Sequence, residues 1–197
     1  MKLQRTVAGW IDRPVIDPDP IGFVRDRLYG WLGAPDPYRR EDDPHLSLFG
    51  VHVPETRVAD FEREFETFAE TVGTQRISTD GYHLYPSTRN PMVVAFALDV
   101  RFDAVASPVA DLLAAHGGRI GRDPVTPHVT LFKGGRRGEE LQWARVDERI
   151  RDRLATVAGS GGGPAPPEEL AEPTIEVTLG PPEIEWNGTF PGRYSSQ

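Results

Sequence analysis

The chain has no cysteine among its 197 residues, which excludes a disulfide framework, a thiolate nucleophile and a cysteine metal site. No apolar run approaches the roughly 20 residues needed for a membrane-crossing helix. The N-terminus, Met1-Lys2-Leu3-Gln4-Arg5, lacks the apolar core and cleavage site of a secretory leader. A cytoplasmic protein with no membrane partner is therefore expected. Positive charge is also scarce: 22 Lys and Arg stand against 30 Asp and Glu, for a formal net charge of −8. Long duplex nucleic acid is usually met by a broad basic face, so it is not an expected partner. A small anionic ligand in a locally cationic cleft remains compatible with this balance. No Gly-x-Gly-x-x-Gly or P-loop string stands in a strand-to-helix context, and no His-Glu-x-x-His spacing occurs. Neither a cofactor nor a metal is expected on these grounds.

What the chain does have is a short repeat. Pro44-His45-Leu46-Ser47-Leu48-Phe49 is echoed by Pro127-His128-Val129-Thr130-Leu131-Phe132. The two histidines lie 83 residues apart, so the duplication is one of half-domains. With the period of two that a strand imposes, His45 and Ser47 share one face and Leu46 and Leu48 the other. His128 and Thr130 stand in the same relation to Val129 and Leu131. Two such strands make a pocket of two imidazoles and two hydroxyls with an apolar backing.

The rest of the chain reads as alternating strands and helices. Leu3 to Trp10 is a first strand, and a helix follows the Pro18-Asp19-Pro20 turn, with Ile21, Val24, Leu28 and Trp31 on one face and Gly33 as its stop. Ala34 to Asp43 reads as a loop. Pro54 to Gly73 is an amphipathic helix carrying Val58, Phe61, Phe65, Phe68 and Val72. Strands at Gln75–Tyr85 and Met92–Val100 follow, the second apolar enough for burial on both faces. Helices at Pro108–His116 and Glu139–Val157 flank the second motif. Thr174 to Leu179 is a strand, and Ile184 to Gln197 a short strand and loose end. The expected architecture is α+β: one domain, residues 1–197, of two similar lobes about a central cleft, with a flexible Gly/Pro-rich loop at 159–167.

Imidazole exchanges protons near neutrality, so two of them across one cleft supply a base and an acid. In-line displacement at a phosphodiester needs that pair, and hydroxyl donors assist where charge develops on the phosphate oxygens. The paired His-x-Ser/Thr-x motifs resemble those of the 2H phosphoesterase superfamily, and within it the bacterial 2′-5′ RNA ligases and 2′,3′-cyclic nucleotide phosphodiesterases. The resemblance spans most of the chain, and its specific content lies in the two motifs. It implies a bilobal α+β fold, a metal-independent mechanism, and a nucleotide or short RNA substrate bearing a 2′,3′-cyclic phosphate or a 2′-5′ linkage. The matching positions are His45, Ser47, His128 and Thr130, with serine at 47 where threonine is common. RNA end processing or ligation, and a non-catalytic nucleotide- or RNA-binding module, are the alternatives.

Several residues carry two readings. Lys133, with Arg136 and Arg137, either holds an anionic substrate at the cleft mouth or belongs to a solvated basic loop. Arg39 and Arg40 share that ambiguity beside Glu41-Asp42-Asp43. Tyr38, Tyr82, Tyr85 and Trp186 are candidates for stacking on a base, although aromatics are more often core. Tyr38 and Tyr85 are the two assigned, with Lys133, to substrate binding. His52 is expected at a strand end, on a different face from His45. His83 is expected on an edge strand, and His116 at a helix C-terminus.

Overall fold

Segments with an apolar period of two form strands, and those with a period near 3.6 form helices. The computed structural model describes residues 5–33, 38–85, 92–98, 100, 102–121, 126–134, 140–160, 162–171 and 174–187. The first half runs β1 (Thr6–Pro14), α1 (Asp19–Trp31), β2 (Tyr38–Arg40), β3 (His45–Pro54), α2 (Val58–Val72) and β4 (Gln75–Tyr85). The second half runs β5 (Met92–Ala97), α3 (Asp103–Ala115), β6 (Arg119–Ile120), β7 (His128–Gly134), α4 (Glu140–Val157), α5 (Glu168–Ala171) and β8 (Glu176–Leu179), with β9 (Glu183–Asn187) the last described strand. The first half runs strand-helix-strand-strand-helix-strand, and the second repeats that order with a short helix, α5, inserted before β8 and a further strand, β9, after it.

All strand pairs are antiparallel, in the order β8-β4-β5-β7-β3-β1-β9, with β2 added beside β7 and β6 beside β3. The two motif strands, β3 and β7, are central neighbours. The halves interlock, because β4 leaves the first half to pair with β5 while β9 leaves the second to pair with β1. Helices cover one face of this curled sheet. Val58, Phe61, Phe65 and Ala69 of α2 are buried against it, with Phe61 stacked on Phe65 and edge-on to Trp186. Gly73 ends α2 at φ +64°, a backbone conformation that favours glycine. Among the described residues no helix is long and apolar enough to cross a membrane.

Some boundaries differ from those read in the sequence. The first strand extends to Pro14 because β3 pairs with it along that whole length. The third helix begins at Asp103, with Pro108 inside it. The proline is exposed there, where water can take the carbonyl that its missing N–H frees. The short strands β2 and β6 carry too few residues to show a period; they form because β3 and β7 offer free edges beyond their crossing.

Candidate active site

Only one pair, Leu46 with Val129, joins the two motif strands. In antiparallel geometry the flanking positions then face each other, so His45 stands beside Thr130 and Ser47 beside His128. Four motif side chains from distant parts of the sequence therefore meet on one face, around a local twofold through Leu46 and Val129.

Strict alternation would also send Phe49 and Phe132 to that face. It does not hold. Opposite β3, Ile11 pairs with Phe49 and Asp12 with Ser47, which leaves Leu48 as an extra residue. Opposite β7, Val93 pairs with Phe132 and Val94 with Thr130, which leaves Leu131 extra. Each is a β-bulge at the same motif position, and a bulge turns the following residues over. Leu48, Phe49, Leu131 and Phe132 are accordingly all fully buried. Burial of each is worth about 1.5–3 kcal/mol, so the core pins the bulge and the cleft stays open.

The same shift of phase corrects the reading of His52. It lies on the face of His45, since Ala8, Trp10 and Asp12 pair in turn with His52, Gly50 and Ser47. Six register steps along β1, from Pro14 to Ala8, still hold it far along the strand from His45. For Lys133 the effect is useful: the bulge aims it to the side of His128 and Thr130, opposite Met92. Lys133 is half-exposed and ion-paired with Glu41.

Both histidines are held in the same way. His45 Nδ1 lies 2.9 Å from the carbonyl oxygen of Asp43, and His128 Nδ1 lies 2.7 Å from that of Thr126. A carbonyl only accepts, so each Nδ1–H donates, and each Nε2 remains for proton transfer. Burial holds the His128 imidazole below the usual histidine range, opposed by its bond to Thr126 and reinforced by the charges of His45 and Lys133. That favours a neutral ring ready to accept a proton.

Asp12 is the site residue that the sequence reading missed, because that reading ended the first strand at Trp10. It stands directly across from Ser47 in the strand register, which places its carboxylate on the same face as the Ser47 hydroxyl. Burial raises the Asp12 carboxyl above its usual range, while His45 and the Ser47 hydroxyl pull the other way. Its Oδ1 is buried without a hydrogen-bond partner among the described residues. A recess of about 260 Å³ opens here, lined by Asp12, Pro14, Asp43, His45, Glu183 and Glu185. Larger grooves occur beside Arg13 and α2, about 630 Å³, and between β4 and α4, about 510 Å³. Neither contains a motif histidine.

The aromatic candidates separate cleanly. Tyr85 stacks on His128, with ring centroids 4.8 Å apart and planes at 28°. Tyr38 does not bind substrate: its side chain is fully buried, and its hydroxyl donates to Asp147 at 2.9 Å. It pairs with Gly134, one step from Lys133, and so points to the core face. Tyr82 and Trp186 are also core residues; burial pushes the Tyr82 phenol up to about 12, and the Trp186 indole N–H donates to Glu62. His83 lies on the half of β4 that pairs only with β5 among the described residues, its ring 4.5 Å from that of Phe96. His116 caps α3 and pairs with Glu64. Arg136 and Arg137 lie outside the described residues.

Two structures of Usb1 from Kluyveromyces marxianus share this fold. One superposes with a TM-score of 0.55 at 10% identity, covering 90% of this chain and 93% of that one. The other, with uridine monophosphate, gives 0.52 at 12% identity, covering 91% and 96%. The PDE domain of MHV ns2 gives 0.49 at 12% identity, over 65% of this chain and 84% of that one. No curated protein sequence matches the chain significantly. The family model described as the 2′-5′ RNA ligase superfamily matches residues 27–157. That span holds both histidine motifs and most of the chain, and the protein belongs to the 2′-5′ RNA ligase superfamily, in keeping with the 2H phosphoesterase likeness of its paired motifs.

Proposed function

We propose that this protein is a phosphodiesterase that opens a 2′,3′-cyclic phosphate or cleaves a 2′-5′ linkage in a nucleotide or short RNA, by two-histidine acid–base catalysis without a metal. The observation that carries this reading is the meeting of His45, Ser47, His128 and Thr130 around the Leu46–Val129 pair, with both Nδ1 atoms anchored to carbonyls. One Nε2 removes the proton from an attacking water. The new P–O bond forms as the opposite P–O bond breaks, and the second imidazole protonates the departing sugar oxygen. Thr130 favours the same outcome. Among the described residues its hydroxyl donates to the Met92 sulfur, 3.8 Å away, a weak acceptor that a phosphate oxygen readily replaces. Lys133 stands on the same face to meet the phosphate charge, and Tyr85 offers an aromatic plane to a base.

Incubation with 2′,3′-cyclic nucleotides and with 2′-5′ dinucleotides in EDTA tests the reading. Turnover of at least one class that survives EDTA is expected. Absence of turnover with both, or its abolition by EDTA, overturns the proposal. Tight nucleotide binding without turnover favours a binding module instead.

A further inference from the structure

The two motif hydroxyls occupy equivalent positions but have unlike partners. Thr130 lies across from Val94 and Ser47 across from Asp12. A hydroxyl has one proton to give. That of Thr130 rests against a sulfur, whereas that of Ser47 faces a carboxylate across the strand pair. The charges facing the two histidines differ in the same sense. The His45 side holds Asp12 from β1, Glu183 and Glu185 from β9, and Asp43 from the preceding loop. The His128 side holds Lys133, itself ion-paired with Glu41.

We propose that Asp12 is a positioning residue that orients Ser47 and commits His45 to proton donation, leaving His128 as the base. The inference rests on the phosphodiesterase reading for its catalytic consequence, although the coupling of Asp12 to His45 is independent of it. A carboxylate stabilises a facing imidazolium, and an ammonium destabilises one. Water then loses its proton to His128 Nε2 and attacks phosphorus, while His45 Nε2 passes its proton to the leaving oxygen. The products leave His128 protonated and His45 neutral, and exchange with solvent restores the starting state. The groups that face Asp12 are His45 and Ser47 from β3, Glu185 and Glu183 from β9, and Lys133 from β7. The two glutamates oppose its ionisation, and His45 and Lys133 support it.

The test is Asp12→Asn, which keeps the shape and removes the charge, read by NMR titration of the two imidazoles in the full-length protein. The His45 midpoint is expected to fall relative to wild type while that of His128 stays within error. Asp12→Glu restores most of the His45 value. An unmoved His45, or equal movement of both rings, overturns the proposal. In turnover of a 2′,3′-cyclic nucleotide, Asp12→Asn moves the alkaline limb of the pH profile to lower pH. At pH 8 it reduces kcat about 10-fold without raising KM. An unchanged limb, or a loss confined to KM, also overturns it. If the wild type turns over no phosphodiester, the proposed activity fails while the NMR comparison still decides the role of Asp12.

Discussion

The two halves of the cleft share a backbone plan and differ in what they hang on it. Around His128 the cross-strand rows read Tyr85, Met92, Lys133, then His83, Val94, Thr130, and finally Phe96 beside His128. Around His45 the corresponding rows read Glu185, Trp10, Gly50, then Glu183, Asp12, Ser47, and finally Pro14 beside His45. Motif, bulge and imidazole anchor are the same in both. The flanking strands are not: one side sets an aromatic and a lysine paired with Glu41 around its histidine, the other a set of carboxylates. In the proposed mechanism, symmetry of the backbone supplies the two proton-transfer groups, and asymmetry of the neighbours lets them take opposite roles.

The comparison breaks most visibly at the histidines. His45→Ala and His128→Ala are each expected to lower turnover of a cyclic nucleotide by about 10³-fold. They part company on a p-nitrophenyl phosphodiester, whose leaving group needs no proton. Most activity returns to the His45 variant and none to the His128 variant; equal rescue of both removes the distinction between the halves.

Tyr85 and Glu185 occupy matching places, and their removal should act in opposite directions. Tyr85→Ala raises KM for a nucleotide about 10-fold through lost stacking, with a smaller change in kcat. Glu185→Ala leaves KM the same or lowers it. Steady-state kinetics on one substrate decide the matter, and a similar rise in both contradicts the charge contrast.

Stability should follow the contrast as well. The folded Asp12 carboxyl sits above its usual value of 3.8 because burial disfavours its charge. Its contribution to stability is therefore complete below that value and is lost as pH rises through the folded value. Asp12→Asn abolishes that loss, so its Tm relative to wild type should climb by a few degrees between about pH 4 and pH 7. For His128 the sign reverses. Its folded value lies below the ordinary 6.5, so its contribution is present above 6.5 and lost as pH falls through the folded value. His128→Gln should flatten the acid side of the Tm profile. A small control is Tyr38→Phe, which costs about 1 kcal/mol through the lost bond to Asp147 and leaves KM unchanged.

Much of this was legible in the chain. The Val58-Phe61-Phe65 stripe announces α2, and the Met92–Leu98 run announces a buried strand. The repeated motif announces the site, because two matched histidine strands rarely have another use. What escaped was whatever depends on a partner strand. Tyr38 and Tyr85 are alike as residues, and neither carries a local sign of which is buried. Asp12 lies beyond Trp10, where the sequence reading ends the first strand, and only the pairing of β1 along β3 makes it strand.

The sequence by itself determined the types of the longer elements, the duplication and the identity of the four motif residues, since periodicity and residue chemistry are local. Tertiary structure decided which way the phenylalanines turn, where Lys133 and His52 point, and which histidine faces a carboxylate. Those outcomes depend on bulges and cross-strand register, and register is set by contacts between residues that the chain keeps far apart.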